Sequence, residues 1–304
     1  VSDESKEGAM GSSGGGDDIF GGDFSQARVE GRETWPAKLQ WHGGISRAPG
    51  DSFPVRGGFF LPEAGIYGLG LDPEVPPSGA TATTMQFAGK SEPGWGFSRI
   101  DVAILAEAFF WEDRQDGRQR FPRDEYRLRQ QRGLGEERDL RGRIYLLGVV
   151  RQLRDLGAAE PVLLTLRGAA SRQFATLLRE RLAPIVDTAT RLRQGKGHSG
   201  PVPREAFWLP IVAGAMTRVG GEEGKQSEMA LPGTTLPEKR DLPAGGEAFV
   251  EFARPLLVPA EARRAGGEFD QIWERYRDLW EKFNVVGGGQ PEEAPPAQEP
   301  DPFG

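Results

Sequence analysis

Phe269, Ile272, Trp273, Tyr276, Leu279, Trp280 and Phe283 recur at i, i+3, i+4, i+7, i+10, i+11 and i+14, the period of one face of an α-helix. A helix over 260–284 with one aromatic side and one charged side must lay the aromatic side on the body of the protein or on another subunit. Gly287–Gly289 stops it. The last residues, 285–304, form a Pro/Glu tail, and 1–25 is Gly-rich and acidic. Neither has enough apolar surface to fold alone. The expected organisation is therefore a disordered acidic N-terminal segment (1–25), a single folded core (26–284) and a disordered acidic Pro-rich tail (285–304).

The core reads as α+β. Gly57–Pro62 and Thr81–Phe87 are short runs between Gly and Pro and predict strands, with the Pro-rich 73–79 as a loop between them. Thr34–Trp41 is the first ordered-looking stretch. Ile100–Trp111 begins with β-branched residues and ends in aromatics, which favours a long strand. Arg143–Leu153 and Pro161–Arg167 predict a hairpin turning near Gly157. Ala206–Arg218 predicts a strand interrupted near Pro210 and Gly214, and Ala248–Leu257 another strand. Between them, Ser171–Gln194 has helical spacing at Phe174, Leu177, Leu178, Leu182 and Ile185, with Ser171 as N-cap and a break at Pro184. The architecture expected is an antiparallel, barrel-like core of OB or Greek-key type. One helix follows the central hairpin and the C-terminal amphipathic helix closes the chain.

Composition removes several kinds of chemistry. The chain has no cysteine, which excludes disulfides, thiolate metal sites and cysteine nucleophiles. Its two histidines, His42 and His198, sit in Gly-rich stretches without a ligand pattern, and are expected in solvated loops. Gly195-Lys196-Gly197 lacks the spacing of a phosphate-binding loop, the glycines of 65–70 read as turns, and no G-x-S-x-G elbow occurs. Asp101 and Glu107 lack the partner lysine of a metal-dependent nuclease. No catalytic residue, metal or cofactor is expected. No run is apolar enough to cross a bilayer and the start is polar, so a cytoplasmic location without membrane contact is expected.

The chemistry left to the chain is that of a binding surface. Arg114, Arg118, Arg120, Arg123, Arg127, Arg129, Arg132, Arg141 and Arg143 crowd one segment, with Trp111, Phe121 and Tyr126 among them. Guanidinium groups can follow a phosphate backbone, and ring faces stack on unpaired bases of any identity. Acids interleave with these arginines, so a salt-bridged, solvated loop is the competing expectation. Net charge is −7, of which the first 25 residues carry −5 and the last 20 carry −4, leaving the core at about +2. The segmental balance thus admits a polyanionic ligand that the total would disfavour.

The tail ends Glu299-Pro300-Asp301-Pro302-Phe303-Gly304. Its acidic tip near a Phe, following a β-rich core, resembles the single-stranded DNA-binding proteins of bacteria and their phages. Here Gly304 follows Phe303, so the ring does not carry the terminal carboxylate. The resemblance implies an OB-type core that binds single-stranded DNA or RNA without sequence preference, in bacterial or phage-infected cells. It also implies that Asp301, Pro302 and Phe303 recruit replication or repair proteins. The rival expectation is a virion or scaffold protein, a homo-oligomer using the aromatic helix as its interface.

Overall fold

The computed structural model describes residues 35–43, 57–87, 90–113, 120–122, 140–219 and 227–285. It is an α+β protein built on one large mixed sheet. The strands are β1 (Ala37–His42), β2 (Gly58–Pro62), β3 (Ala80–Phe87), β4 (Lys90–Phe97), β5 (Arg99–Asp113), β6 (Arg120–Pro122), β7 (Leu140–Val150), β8 (Val162–Arg167), β9 (Leu209–Val219) and β10 (Ser227–Gly233). Their order is β10-β9-β5-β7-β8-β1-β2-β4-β3, with the short β6 added to β5. The expectation of a purely antiparallel barrel is corrected on two points. β1 and β8 run parallel, and the sheet is open, ending at β10 and β3. It nonetheless curls, since the Ala230 N–H of β10 donates to the Gly43 carbonyl just past β1 at 2.8 Å.

The helices are α1 (Glu63–Gly68), α2 (Arg151–Asp155), α3 (Ala169–Leu177), α4 (Ala183–Gly195), α5 (Gly246–Ala253), α6 (Ala260–Arg263) and α7 (Glu268–Val285). A π-helical segment, Leu178–Leu182, joins α3 to α4. Pro184 follows it in the first turn of α4, where a missing N–H is tolerated, so the proline does not end the helical run. Phe174, Leu177, Leu182 and Ile185 all remain on one buried face.

Strand alternation divides the core into two sides. In β7, Ile144 and Leu146 pack with Leu39, Trp95, Leu164 and the α3–α4 residues. Tyr145, Leu147 and Val149 point the other way, towards α7. β5 needs a correction midway, because Ile100, Val102 and Ile104 face α3 whereas Ala106, Ala108 and Phe110 face α7. A bulge between Ile104 and Ala106 supplies it. One extra residue inverts the faces of everything downstream.

The aromatic side of α7 is spent inside the molecule. Phe269, Ile272 and Trp280 are buried, and Trp273, Tyr276 and Phe283 pack beside them. Arg154 holds the start of α7 by a two-pronged contact with Glu268 at 2.8–3.0 Å. Glu160 accepts from Arg275 at 2.6 Å and from the Tyr276 hydroxyl at 2.9 Å. Burial, then the nearby Glu160 carboxylate, pushes the Tyr276 phenol above its usual range. This face is therefore largely covered within the chain.

Three local expectations differ from the structure. Ser171 lies inside α3 rather than at its cap, where it is fully buried and donates to the carbonyls of Gly142 and Gly168. Ala248–Leu257 is helix α5 followed by a 3-10 turn, because Phe249 and Ala253, four apart, share the buried side. The glycines of 65–70 include part of α1, which buries Ile66. β4 and β10 carry no strand signal in the sequence, since Gly and Pro interrupt both.

His42 is 1% exposed rather than solvated. Burial lowers its pKa from 6.5 to about 4, so it folds as the neutral ring. The unfolded chain therefore takes up the proton first, and stability is complete above pH 6.5 and declines as pH falls towards 4. That loss is expected to reach about 3 kcal/mol. Urea unfolding between pH 7 and 4 should show a shallower slope for His42→Leu than for the wild type; equal slopes would refute the assignment.

Candidate nucleic-acid interface

Among the described residues β5 and β7 form the longest ribbon, pairing from Val102↔Val150 out to Asp113↔Leu140. The candidate residues belong to the far end of this ribbon. β6 adds a third strand there, and register sets three rows across it. Phe121, Trp111 and Gly142 form one row, Arg120, Glu112 and Arg141 the next, and Pro122, Phe110 and Arg143 the third. Of the twelve candidate contacts, this end gathers Trp111, Arg120, Phe121, Arg141 and Arg143. Arg114, Arg118, Arg123, Tyr126, Arg127, Arg129 and Arg132 lie outside the described residues, as do Asp301, Pro302 and Phe303.

The two faces of the ribbon end differ in chemistry. On the α7 face, the Arg143 guanidinium is 2.7 Å from the Glu112 carboxylate, with both side chains about nine-tenths buried. Arg143 also donates to the Tyr145 hydroxyl at 2.6 Å. Tyr145 stacks edge-on against Phe283 at 4.9 Å. Arg143 thus has its charge met by Glu112 beneath the end of α7. Arg141 stands directly opposite Glu112 and remains half-buried. On the α3 face, Trp111 is half-buried and meets Phe109 edge-on at 5.5 Å. It is the candidate ring whose described side chain retains solvent access.

The other rings near the sheet are structural. Phe59, Phe60, Trp95, Phe97, Phe207 and Trp208 are each 2% exposed or less. Four of the seven tryptophans, Trp41, Trp95, Trp208 and Trp280, are buried.

A second cationic region lies apart from the arginine-dense segment. Arg191, Arg193, Lys196 and His198 are all exposed on the last turn of α4 and the loop after it. Arg193 and Lys196 have no ion pair among the described residues. Cations at a helix C-terminus complement its dipole, which accounts for their placement; their run along the last turn and into the Gly-rich loop is the signal the sequence carries.

The carboxylates that could suggest catalysis are committed elsewhere. Asp101 pairs with Arg99 at 3.1 Å, and Glu107 pairs with Arg204 at 2.8 Å. The β5 bulge between them turns them to opposite faces, so they cannot share a metal ion. No cluster of metal-binding side chains occurs among the described residues, and no helix among them is long and apolar enough to cross a membrane. No protein-family model, curated protein or solved structure matches the chain.

Proposed function

We propose that this protein binds single-stranded nucleic acid without sequence preference, as a binding protein rather than an enzyme, in DNA replication, recombination or repair. One observation carries the reading. Register places Phe121 beside the solvent-accessible Trp111 at the end of the β5–β7 ribbon, where β5 and β7 bracket the arginine-rich 114–139. Rings for stacking and cations for phosphates are what sequence-tolerant binding of unpaired strands requires. The curled antiparallel run from β10 to β8 supports an OB-like, partly closed platform beneath it. In this reading Asp301, Pro302 and Phe303 recruit partners from a tethered acidic tail, and the working compartment is the cytoplasm of a bacterial or phage-infected cell.

Titration with oligo-dT, followed by tryptophan fluorescence, tests this directly. Quenching is expected, with an affinity that falls about fifty-fold between 50 and 200 mM salt if some four phosphates are contacted. Trp111→Ala should abolish most of the quench and weaken binding by about 1–3 kcal/mol, roughly five- to 150-fold. The four buried tryptophans cannot stack on a base without unfolding. Absent or salt-insensitive binding would remove the proposal.

A further inference from the structure

The two edges of the sheet are built differently. β10 is guarded: α3 packs against it, Ala230 donates to Gly43, a bulge separates Ala230 from Pro232, and Pro232 has no N–H to offer. Among the described residues, β3 has none of these devices. Its eight residues, Ala80–Phe87, contain no charge and no proline. They pair with β4 in unbroken register from Ala80↔Phe97 to Phe87↔Lys90. Thr81, Ala82 and Thr84 are exposed, so side chains on both faces of this strand meet solvent. Half of its backbone N–H and C=O groups point away from β4. An edge of this kind is a template for another strand, and proteins that must stay monomeric normally block it with Lys, Pro or a bulge.

We propose that β3 is a pairing edge at which two copies of this chain join antiparallel, merging their sheets across a two-fold axis. Self-pairing fits the residues. An antiparallel two-fold sets the Thr81–Thr84 stretch against its own copy, uncharged against uncharged, so no like charges are opposed. The arrangement also stops at two. Each copy uses its β3, and the remaining edge, β10, is blocked, so the contact closes as a dimer rather than extending into a fibre. This inference is independent of nucleic-acid binding.

Light scattering behind size-exclusion chromatography reads the outcome on the full chain. The wild type is expected at twice 33.2 kDa at concentrations of about 100 µM, a dimer of moderate affinity. Thr84→Lys should return it to 33.2 kDa, with a melting temperature equal to that of the wild type in dilute solution where both are monomeric, since the position is exposed. Thr81→Lys, nearer the start of the strand, should do the same and serves as the second variant. Hydrogen exchange at Ala82–Thr84 should be slow in concentrated protein and fast on dilution. A monomeric wild type, or a dimer that survives both lysines with fast exchange in β3, overturns the proposal.

Discussion

Gly58→Ala is expected to cost this protein about 4 kcal/mol or more of its unfolding free energy, an effect large enough to be diagnostic of a single cause. Gly58 opens β2 between two partners, opposite His42 of β1 and next to the Phe59↔Phe97 pair with β4. Its φ is 135°, a region that side chains other than glycine's rarely enter. A Cβ built there falls 2.1 Å from the Phe97 carbonyl oxygen and 3.0 Å from its carbon. The obstacle is backbone held in a sheet, so no rotamer change relieves it. β2 would have to leave β4, drawing Phe59 and Leu61 away from Trp95 and Phe97 in the same core. Gly79→Ala is the control. Its φ is 81°, yet nothing lies within 4 Å of the added carbon, so only the backbone penalty of about 1 kcal/mol applies. Urea unfolding of the two variants should separate them clearly; similar losses would refute the steric argument.

The Arg143–Glu112 pair carries the second large effect. Removing either member alone, by Arg143→Met or Glu112→Gln, is expected to destabilise by about 3 kcal/mol, because the other loses its charge partner 2.7 Å away in a mostly buried site. The double variant should cost about as much as the worse single, a coupling of about 3 kcal/mol. Additive losses would show that the two groups do not rely on each other. The same variants bear on function. Because the guanidinium is already neutralised, Arg143→Met should leave oligo-dT affinity and its salt slope unchanged in folded protein, in contrast to Trp111→Ala. A shallower salt slope for Arg143→Met would place that arginine in the phosphate-binding set.

Much of the secondary structure was legible in local patterns. The i, i+3, i+4 series of 269–283 became α7, the apolar β-branched start of 100–111 became β5, and Phe174 to Ile185 became the α3–α4 helix. Where two patterns competed locally, packing decided. Phe249, Val250 and Phe252 suggested a strand, but the i, i+4 placement of Phe249 and Ala253 on the core made it a helix. The candidate site was legible only as a composition. Arginines and rings crowd one segment, but composition does not distinguish Arg143, sealed against Glu112, from Trp111, still wetted. Those two differ in which face of the ribbon they occupy, and the bulge at Leu105 sets the faces of β5.

Periodicity, turn residues and charge distribution act over a few neighbouring positions, and they were enough to specify an α+β core, its two longest helical stretches and most of its strands. Strand order, the parallel β1–β8 pair, the burial of His42, the occupied face of α7 and the bare edge at β3 arise from pairings between residues far apart in the chain. Such pairings depend on which distant surfaces bury each other best, and no window of sequence contains both partners.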